Sequence, residues 1–255
     1  IQGVALTGSL RAGSAIGKLA GKHIKNCVLE LGGADPFIVL EDALLENAAK
    51  CAVQSRMHNS GQTCISAKRF IVVESVAKKF KSLVIDQLSK LVVGDPINPN
   101  TNISPMARLD LAETLEIQVQ KSIEMGAVAE YKGGHKKGTN YFYPTLLTNI
   151  QKGMPAYNEE MFGPVIALFV VKNTTEAIKL ANDSTFGLAA TIWSENTVLA
   201  KSIAMELEVG AVAINRMMSS DPRIPFGGIK MSGIGRELGK EGLMSFVNVK
   251  SVIVD

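Results

Sequence analysis

The chain of 255 residues reads as an α/β fold built on a mostly parallel sheet, and three observations carry that reading. Short aliphatic and β-branched runs alternate with segments of helical period, as expected for parallel strands joined by crossover helices. Breaks between them are tight Gly, Asp and Pro clusters such as Gly32-Gly33 and Gly94-Asp95-Pro96, and no linker, repeat or low-complexity tract interrupts the pattern. The composition, 46% hydrophobic and 20% charged, is that of an ordinary globular chain long enough to bury a sizeable core.

Taken in order, Gly3-Val4-Ala5-Leu6-Thr7 predicts a short buried strand that breaks at Gly8-Ser9. A helix follows through Lys22, with Ala12, Ile16, Leu19 and Ala20 at helical spacing. A second strand over 24–31 ends at Gly32-Gly33, which makes this the tail of a strand–helix–strand unit. The turn and helix start at Gly8-Ser9 suit a phosphate; a plain structural turn is the other reading of so short a signal. Residues 36–40 predict a strand, and Asp42 an N-cap for a helix to Met57 that Asn59 and Gly61 terminate. Residues 69–74 alternate as a strand. The helix from Val76 carries Phe80, Leu83, Val84 and Leu91 on one stripe, and a second amphipathic helix covers 109–125. Beyond Ala127, strands over 141–147, 165–171, 188–193 and 209–215 alternate with helices over 175–182 and 198–207. After a Gly-rich loop, 246–254 predicts one last strand.

The net charge of +3 comes from scattered Lys and Arg, too diffuse for a nucleic-acid footprint. No apolar run approaches the ~18 residues of a membrane span. Cys27, Cys51 and Cys64 suit neither a disulfide framework nor a zinc site, and His23, His58 and His135 show no metal spacing, so no metal is expected. A reduced, cytoplasmic compartment is the expectation. Cys27 in a strand-like run and Cys51 in an Ala-rich helix read as small core residues.

Cys64 differs. In Asn59-Ser60-Gly61-Gln62-Thr63-Cys64 it lies just past a glycine at a helix end, on a polar turn whose backbone N–H groups can face a ligand. Glu30, in Leu29-Glu30-Leu31-Gly32-Gly33, sets a carboxylate beside a glycine pair where the backbone can bend sharply. A thiol and a carboxylate are what covalent acyl transfer needs: one attacks a carbonyl, the other activates the water that releases the acyl group.

Two more segments, Glu159-Glu160-Met161-Phe162-Gly163-Pro164-Val165 and Pro225-Phe226-Gly227-Gly228, complete a set of four. In order and spacing this set resembles the signature of the NAD(P)-dependent aldehyde dehydrogenase superfamily. The resemblance covers essentially the whole chain but only the second part of such an enzyme, whose first part builds the adenine site and supplies an Asn to the oxyanion hole. The chain, opening at Ile1-Gln2-Gly3, is therefore expected to be a fragment. Residues 1–32 would be the remnant of a Rossmann-like cofactor domain, 33–235 an aldehyde dehydrogenase-like catalytic domain, and 236–255 a C-terminal return with an oligomerisation strand.

The resemblance implies oxidation of an aldehyde through a thiohemiacetal and a thioester on Cys64, with Glu30 as the base and NAD or NADP as cofactor. It implies cofactor contacts at Gly8, Ser9, Leu31, Glu160 and Phe162, with Glu160 on the nicotinamide ribose and Glu159 the competing register. Glu237 matches an acid on a proton path, and reads equally as a helix-start acid. A homodimer or homotetramer is implied. The branch most similar is bacterial succinate-semialdehyde dehydrogenase, through Ser219-Ser220-Asp221-Pro222-Arg223. Ser220, Arg223, Phe226 and His58 are then the substrate residues; His58 stands where many members of that branch carry Arg, and is a weaker, pH-dependent partner for a carboxylate. Two other readings stand beside this one: a chain without dehydrogenase activity that keeps a weak thiol esterase, and a remnant kept for dimerisation.

Overall fold

The computed structural model describes residues 1–255. The chain runs β1 (Gly3–Thr7), α1 (Leu10–Lys22), β2 (Asn26–Glu30), β3 (Pro36–Val39), α2 (Leu45–Met57), β4 (Arg69–Val73), α3 (Glu74–Ser89) and α4 (Leu109–Glu124). It continues β5 (Val128–Tyr131), β6 (Gly134–His135), β7 (Phe142–Tyr143), β8 (Thr145–Thr148), α5 (Pro155–Asn158), β9 (Val165–Val171), α6 (Thr174–Asn182), β10 (Phe186–Gly187) and β11 (Ala189–Trp193). Last come α7 (Thr197–Glu206), β12 (Ala211–Ile214), β13 (Ile229–Lys230), β14 (Gly233–Ile234) and α8 (Gly239–Met244).

Seven strands form the main sheet in the order β12-β11-β3-β4-β9-β8-β5, and every pair is parallel except β5 on β8. Because side chains alternate along a strand, one set of positions faces each layer of helices. Phe37, Val39, Phe70, Val72, Ile166 and Leu168 pack with Ala48, Ala52 and Val53 of α2 and Phe80, Val84 and Leu88 of α3. Their neighbours Ile38, Leu40, Ile71, Val73, Ala167 and Phe169 pack with Ala177 and Ala181 of α6 and Ala200 and Ile203 of α7. Continuous apolar strands buried on both faces are what make this sheet parallel and central.

A second, three-stranded sheet has the order β1-β2-β14, with β1 and β2 parallel and β14 antiparallel to β2. Ser9 caps α1 by accepting from the Ala12 N–H at 3.3 Å. Leu31 then fits over Gly13, where a Cβ would lie 2.5 Å from its methyl group, so α1 packs closely on this sheet.

Three expectations need correction. Asp42 is not the cap of α2: the N-cap is Leu44, without a side-chain bond, and Asp42 instead accepts from Ser194 Oγ at 2.9 Å and the Asn196 N–H at 2.8 Å. The run 141–147 divides at Pro144 into β7 and β8, because proline has no N–H for the ladder. Residues 246–254 form no strand: no strand edge of the chain pairs with them, and Val249, Ile253 and Val254 are 77%, 91% and 85% exposed.

Candidate active site

The nucleophile turn begins where α2 ends. Asn59 and Ser60 take left-handed backbone angles (φ 50° and 55°) and Gly61 follows at φ 75°, three left-handed residues in succession. For a residue with a Cβ this costs about 1–2 kcal/mol, so the turn needs bracing. Asn59 Nδ2 donates to Gln62 O at 3.1 Å, Ser60 Oγ to Ser104 O at 2.8 Å, and the Ala107 N–H to Gln62 Oε1 at 2.8 Å. At Gly61 a Cβ would run into the backbone of Gly163, which seats the turn on the Glu160–Gly163 segment. Cys64 leaves this turn partly buried, four residues ahead of the buried side chain of Lys68.

Beneath the turn lie two buried cations that the sequence did not single out. Arg56, fully buried, donates to Ser66 O, Ala67 O, Gly61 O, Met161 O and Gly163 O, binding the two segments to one another. Burial lowers its pKa to about 9. Lys68, 1% exposed, donates to Cys64 O at 2.7 Å, Ser66 O at 3.2 Å and Thr63 O at 3.3 Å, and its Nζ lies 3.5 Å from Glu160 Oε1. Glu160 also accepts from the Gly33 N–H at 3.0 Å. Glu159, by contrast, is exposed and accepts from Gln118 Nε2 at 2.8 Å. Buried Asp35 accepts from the Ala189 N–H at 3.2 Å.

The glycine pair works differently from the expected sharp bend. Neither Gly32 nor Gly33 has a left-handed φ. They are there for close approach: a Cβ on Gly32 would strike the Glu160 carboxylate, and one on Gly33 would come within 2.8 Å of Asp35 Oδ1 and 3.0 Å of Cys64 O. Burial raises the Cys64 thiol above its ordinary value; Lys68 and the Ile65 N–H draw it back, while Asp35 and Glu160 push it further up.

Glu30 ends β2 and is 2% exposed, with neither carboxylate oxygen hydrogen-bonded. It lies under the C-terminal segment, Oε1 2.6 Å from where a Cβ on Gly227 would stand, with Gly233 opposite it on β14. Its pKa is raised to about 7, first by burial and then by Glu237, with Arg236 opposing and the Gly228 N–H, outside hydrogen-bond geometry, adding a weaker opposing pull. Glu237 is therefore brought to Glu30, its backbone fixed by a two-way bridge with Phe226 at 2.7 and 2.8 Å. Glu30 and Cys64 share no hydrogen bond.

A cavity of about 280 Å³ opens beside the thiol turn, lined by Ser55, His58, Thr63, Ile65, Ser66 and the segment Met217–Ser220. His58 and Ser220 both line it. Phe226 lines a neighbouring cavity of about 210 Å³ that shares Met217–Ser220. Arg223 lines neither: its guanidinium is exposed and paired with Asp221 at 2.6 Å, two residues away in a turn.

Of the expected cofactor residues, Gly8 and Ser9 are exposed at the start of α1, where the first N–H groups have no intrahelical acceptor, and this fits an anion. The Gly8 N–H itself donates to Glu30 O at 2.9 Å. Glu160 fits a hydroxyl-bearing group, its Oε2 directed toward Gly32. Phe162 is partly buried beside it in sequence, whereas the Leu31 side chain is spent on α1. Lys68, Arg56 and Asp35 were missed; the signal was Lys68-Arg69, two cations leading straight into an apolar strand, and Arg56 within an otherwise Ala-rich helix.

The profile described as the aldehyde dehydrogenase family matches residues 1–252. The succinate semialdehyde dehydrogenase [NAD(P)+] of Escherichia coli is 48% identical over the whole chain, which covers 55% of it. A probable succinate-semialdehyde dehydrogenase [NADP(+)] of Synechocystis is 49% identical over 99% of the chain, covering 56% of that protein. The solved succinic semialdehyde dehydrogenase of Streptococcus pyogenes, in complex with NADP+, superposes with a TM-score of 0.95 at 40% identity, over 99% of this chain and 56% of its own. The chain thus spans about half the length of the curated relatives it matches.

Proposed function

Since this chain belongs to the aldehyde dehydrogenase family, we propose that it carries the acyl-transfer half of a site that oxidises an aldehyde to its carboxylic acid. One observation carries the reading: the braced turn sets Cys64 over a buried Lys68–Glu160 pair, while a separate carboxylate, Glu30, sits unpaired with a pKa of about 7. A base is most useful when its pKa is close to the working pH.

The Cys64 thiolate adds to the aldehyde carbon and leaves an alkoxide, which the Cys64 backbone N–H helps to stabilise. NAD or NADP, when bound, supplies the hydride acceptor; Gly8, Ser9, Glu160 and Phe162 would hold it. Cys64 then carries the acyl group as a thioester. Glu30 takes a proton from water, the hydroxide adds to the acyl carbon, and the C–S bond breaks to release the acid and return the thiolate. Glu30 acts on water and not on the thiol, so it needs no hydrogen bond to Sγ. Glu237, next to Glu30, gives the proton a way out.

For the substrate, we propose an aldehyde with a distal carboxylate, of the succinate semialdehyde type. The relatives' names support this, as does a cavity whose Ser55, His58, Ser66 and Ser220 offer donors beside the residues flanking Cys64. The exposed apolar tail, with Phe246, Val247, Val249 and Val252, supports assembly with further copies of the chain.

The test is a chimera in which this chain replaces the matching segment of the E. coli relative. With succinate semialdehyde it should produce reduced cofactor; Cys64→Ala should abolish turnover, and Glu30→Gln should give a burst of reduced cofactor and then stall. Turnover of the Cys64→Ala chimera within about tenfold of the parent, a barrier change of only about 1.4 kcal/mol, would refute the assignment.

A further inference from the structure

Lys68 is an expensive residue to bury. An ammonium taken fully out of water costs several kcal/mol even after relaxation, and is retained only when carbonyls and carboxylates replace its hydration. Its neighbours supply that replacement: Cys64 O, Ser66 O and Thr63 O accept from Nζ, and Glu160 Oε1 stands 3.5 Å away. Three carbonyls within the four residues Thr63–Ser66 thus converge on a single donor. A neutral donor would satisfy a carbonyl at less cost, so satisfying the turn does not by itself explain a charge at this point.

The charge acts on a set of groups. Facing Lys68 and the thiol are Glu160 from the segment before β9, Asp35 from the segment before β3, and Arg56 from α2. Arg56 and Lys68 face Asp35, whose pKa burial raises to about 7, and Glu160, and a thiolate at Cys64 would add one more negative charge to this set. Its stability then depends on how the two carboxylates divide the field of Lys68. Asp35 takes part of it from beside Gly33, where an added Cβ would lie 2.8 Å from Asp35 Oδ1 and 3.0 Å from Cys64 O, and Glu160 takes part through its pair with Nζ.

We propose that Lys68 is a positioning residue for Cys64: it pins the carbonyls of the nucleophile turn and holds a positive charge within reach of the thiol, with Asp35 and Glu160 opposing it. The proposal rests on the reading of Cys64 as the nucleophile. It adds a link between the cofactor side and the thiol, because Glu160 is engaged by Lys68 and by Gly33 at once. A group that draws on the Glu160 carboxylate leaves more of the Lys68 charge to Cys64.

The experiment is the pH dependence of Cys64 alkylation in the full 255-residue chain, with iodoacetamide as probe and mass spectrometry of the Cys64 peptide as readout. Cys51, packed against the core, reports in the same digest whether each variant is folded. Removing a cation close to a thiol raises the alkylation midpoint by about one pH unit or more, which is about tenfold slower labelling at neutral pH. Lys68→Met should therefore move the midpoint up, and Asp35→Asn should move it down. Loss of structure alone would move both variants in one direction. Midpoints that do not move, or move together, overturn the proposal. Should Lys68→Met not fold, Asp35→Asn decides: a lower midpoint supports the proposal, and an unchanged or higher one refutes it. Alkylation reads the thiolate whether or not Cys64 does chemistry, so failure here is separable from retained turnover in the Cys64→Ala chimera.

Discussion

Glu30 gives the folded chain a pH dependence that a single substitution isolates. Its carboxyl is 2% exposed, without hydrogen bonds, and its pKa is raised from 4.5 to about 7. The folded chain therefore holds this proton more tightly than the unfolded chain. Below pH 4.5 both states are protonated and Glu30 imposes no charge penalty. Between 4.5 and about 7 the unfolded chain releases the proton while the folded chain keeps it, so stability falls as pH rises. Above that range the penalty is constant, and at about 1.4 kcal/mol per pH unit it reaches up to about 3 kcal/mol. Glu30→Gln keeps the shape and removes the charge. Urea unfolding of the chain and of the variant, followed across this range, should give stabilities that lie close together in acid and diverge toward pH 8, with the Gln variant the more stable. Curves that stay parallel, or a Gln variant that loses ground as pH rises, would mean that Glu30 is paired or solvated in the folded chain, and the argument for it as a base tuned by burial would fall.

Two further substitutions probe the geometry. Gly61→Ala places a Cβ at φ 75° and against the backbone of Gly163, so it should destabilise the chain by about 2 kcal/mol or more in urea unfolding; a loss within experimental error would mean that the turn relaxes freely. Arg223→Ala should leave the unfolding midpoint unchanged, because its partner Asp221 is a local, exposed contact. In the chimera it should alter KM for succinate semialdehyde no more than for an uncharged aldehyde of similar length, and a selective rise would return Arg223 to the substrate site.

The main sheet was legible because its strands are continuous apolar runs: the expected 165–171 strand is β9, and 69–74 differs from β4 by one residue. The thiol turn was legible too, since Asn59 and Gly61 are residues that enter left-handed backbone most easily. What escaped depended on distance along the chain. β14 pairs with β2 across some two hundred residues, and nothing in Gly233-Ile234 marks it as a strand. Lys68 and Arg56 look like ordinary surface cations until their carbonyl partners are seen. Residues 246–254 have the β-branched composition of a strand, yet a strand needs a neighbour as well as a composition, and this chain offers it none.

Location was the deeper surprise. In open α/β sheets, ligands gather beyond the carboxyl ends of the parallel strands. Here Asp35, Lys68, Gly163 and Leu188 all lie just before β3, β4, β9 and β11, at the amino ends of the main sheet. Glu30 comes from a carboxyl end, that of β2 in the smaller sheet, and Gly8 and Ser9 follow the carboxyl end of β1 beside it. The site is a seam between two sheets, joined through Leu31–Asp35, where Gly32 and Gly33 have no Cβ to keep the layers apart. This division has a chemical consequence. Lys68 and Asp35, two of the charges set beside Cys64, directly precede strands β4 and β3 of the main sheet. Glu30 ends a strand of the other sheet, so under the proposed mechanism the base and the nucleophile are carried by different elements of the fold. In that mechanism attack and hydrolysis make different demands on geometry, and two sheets give each its own supporting element.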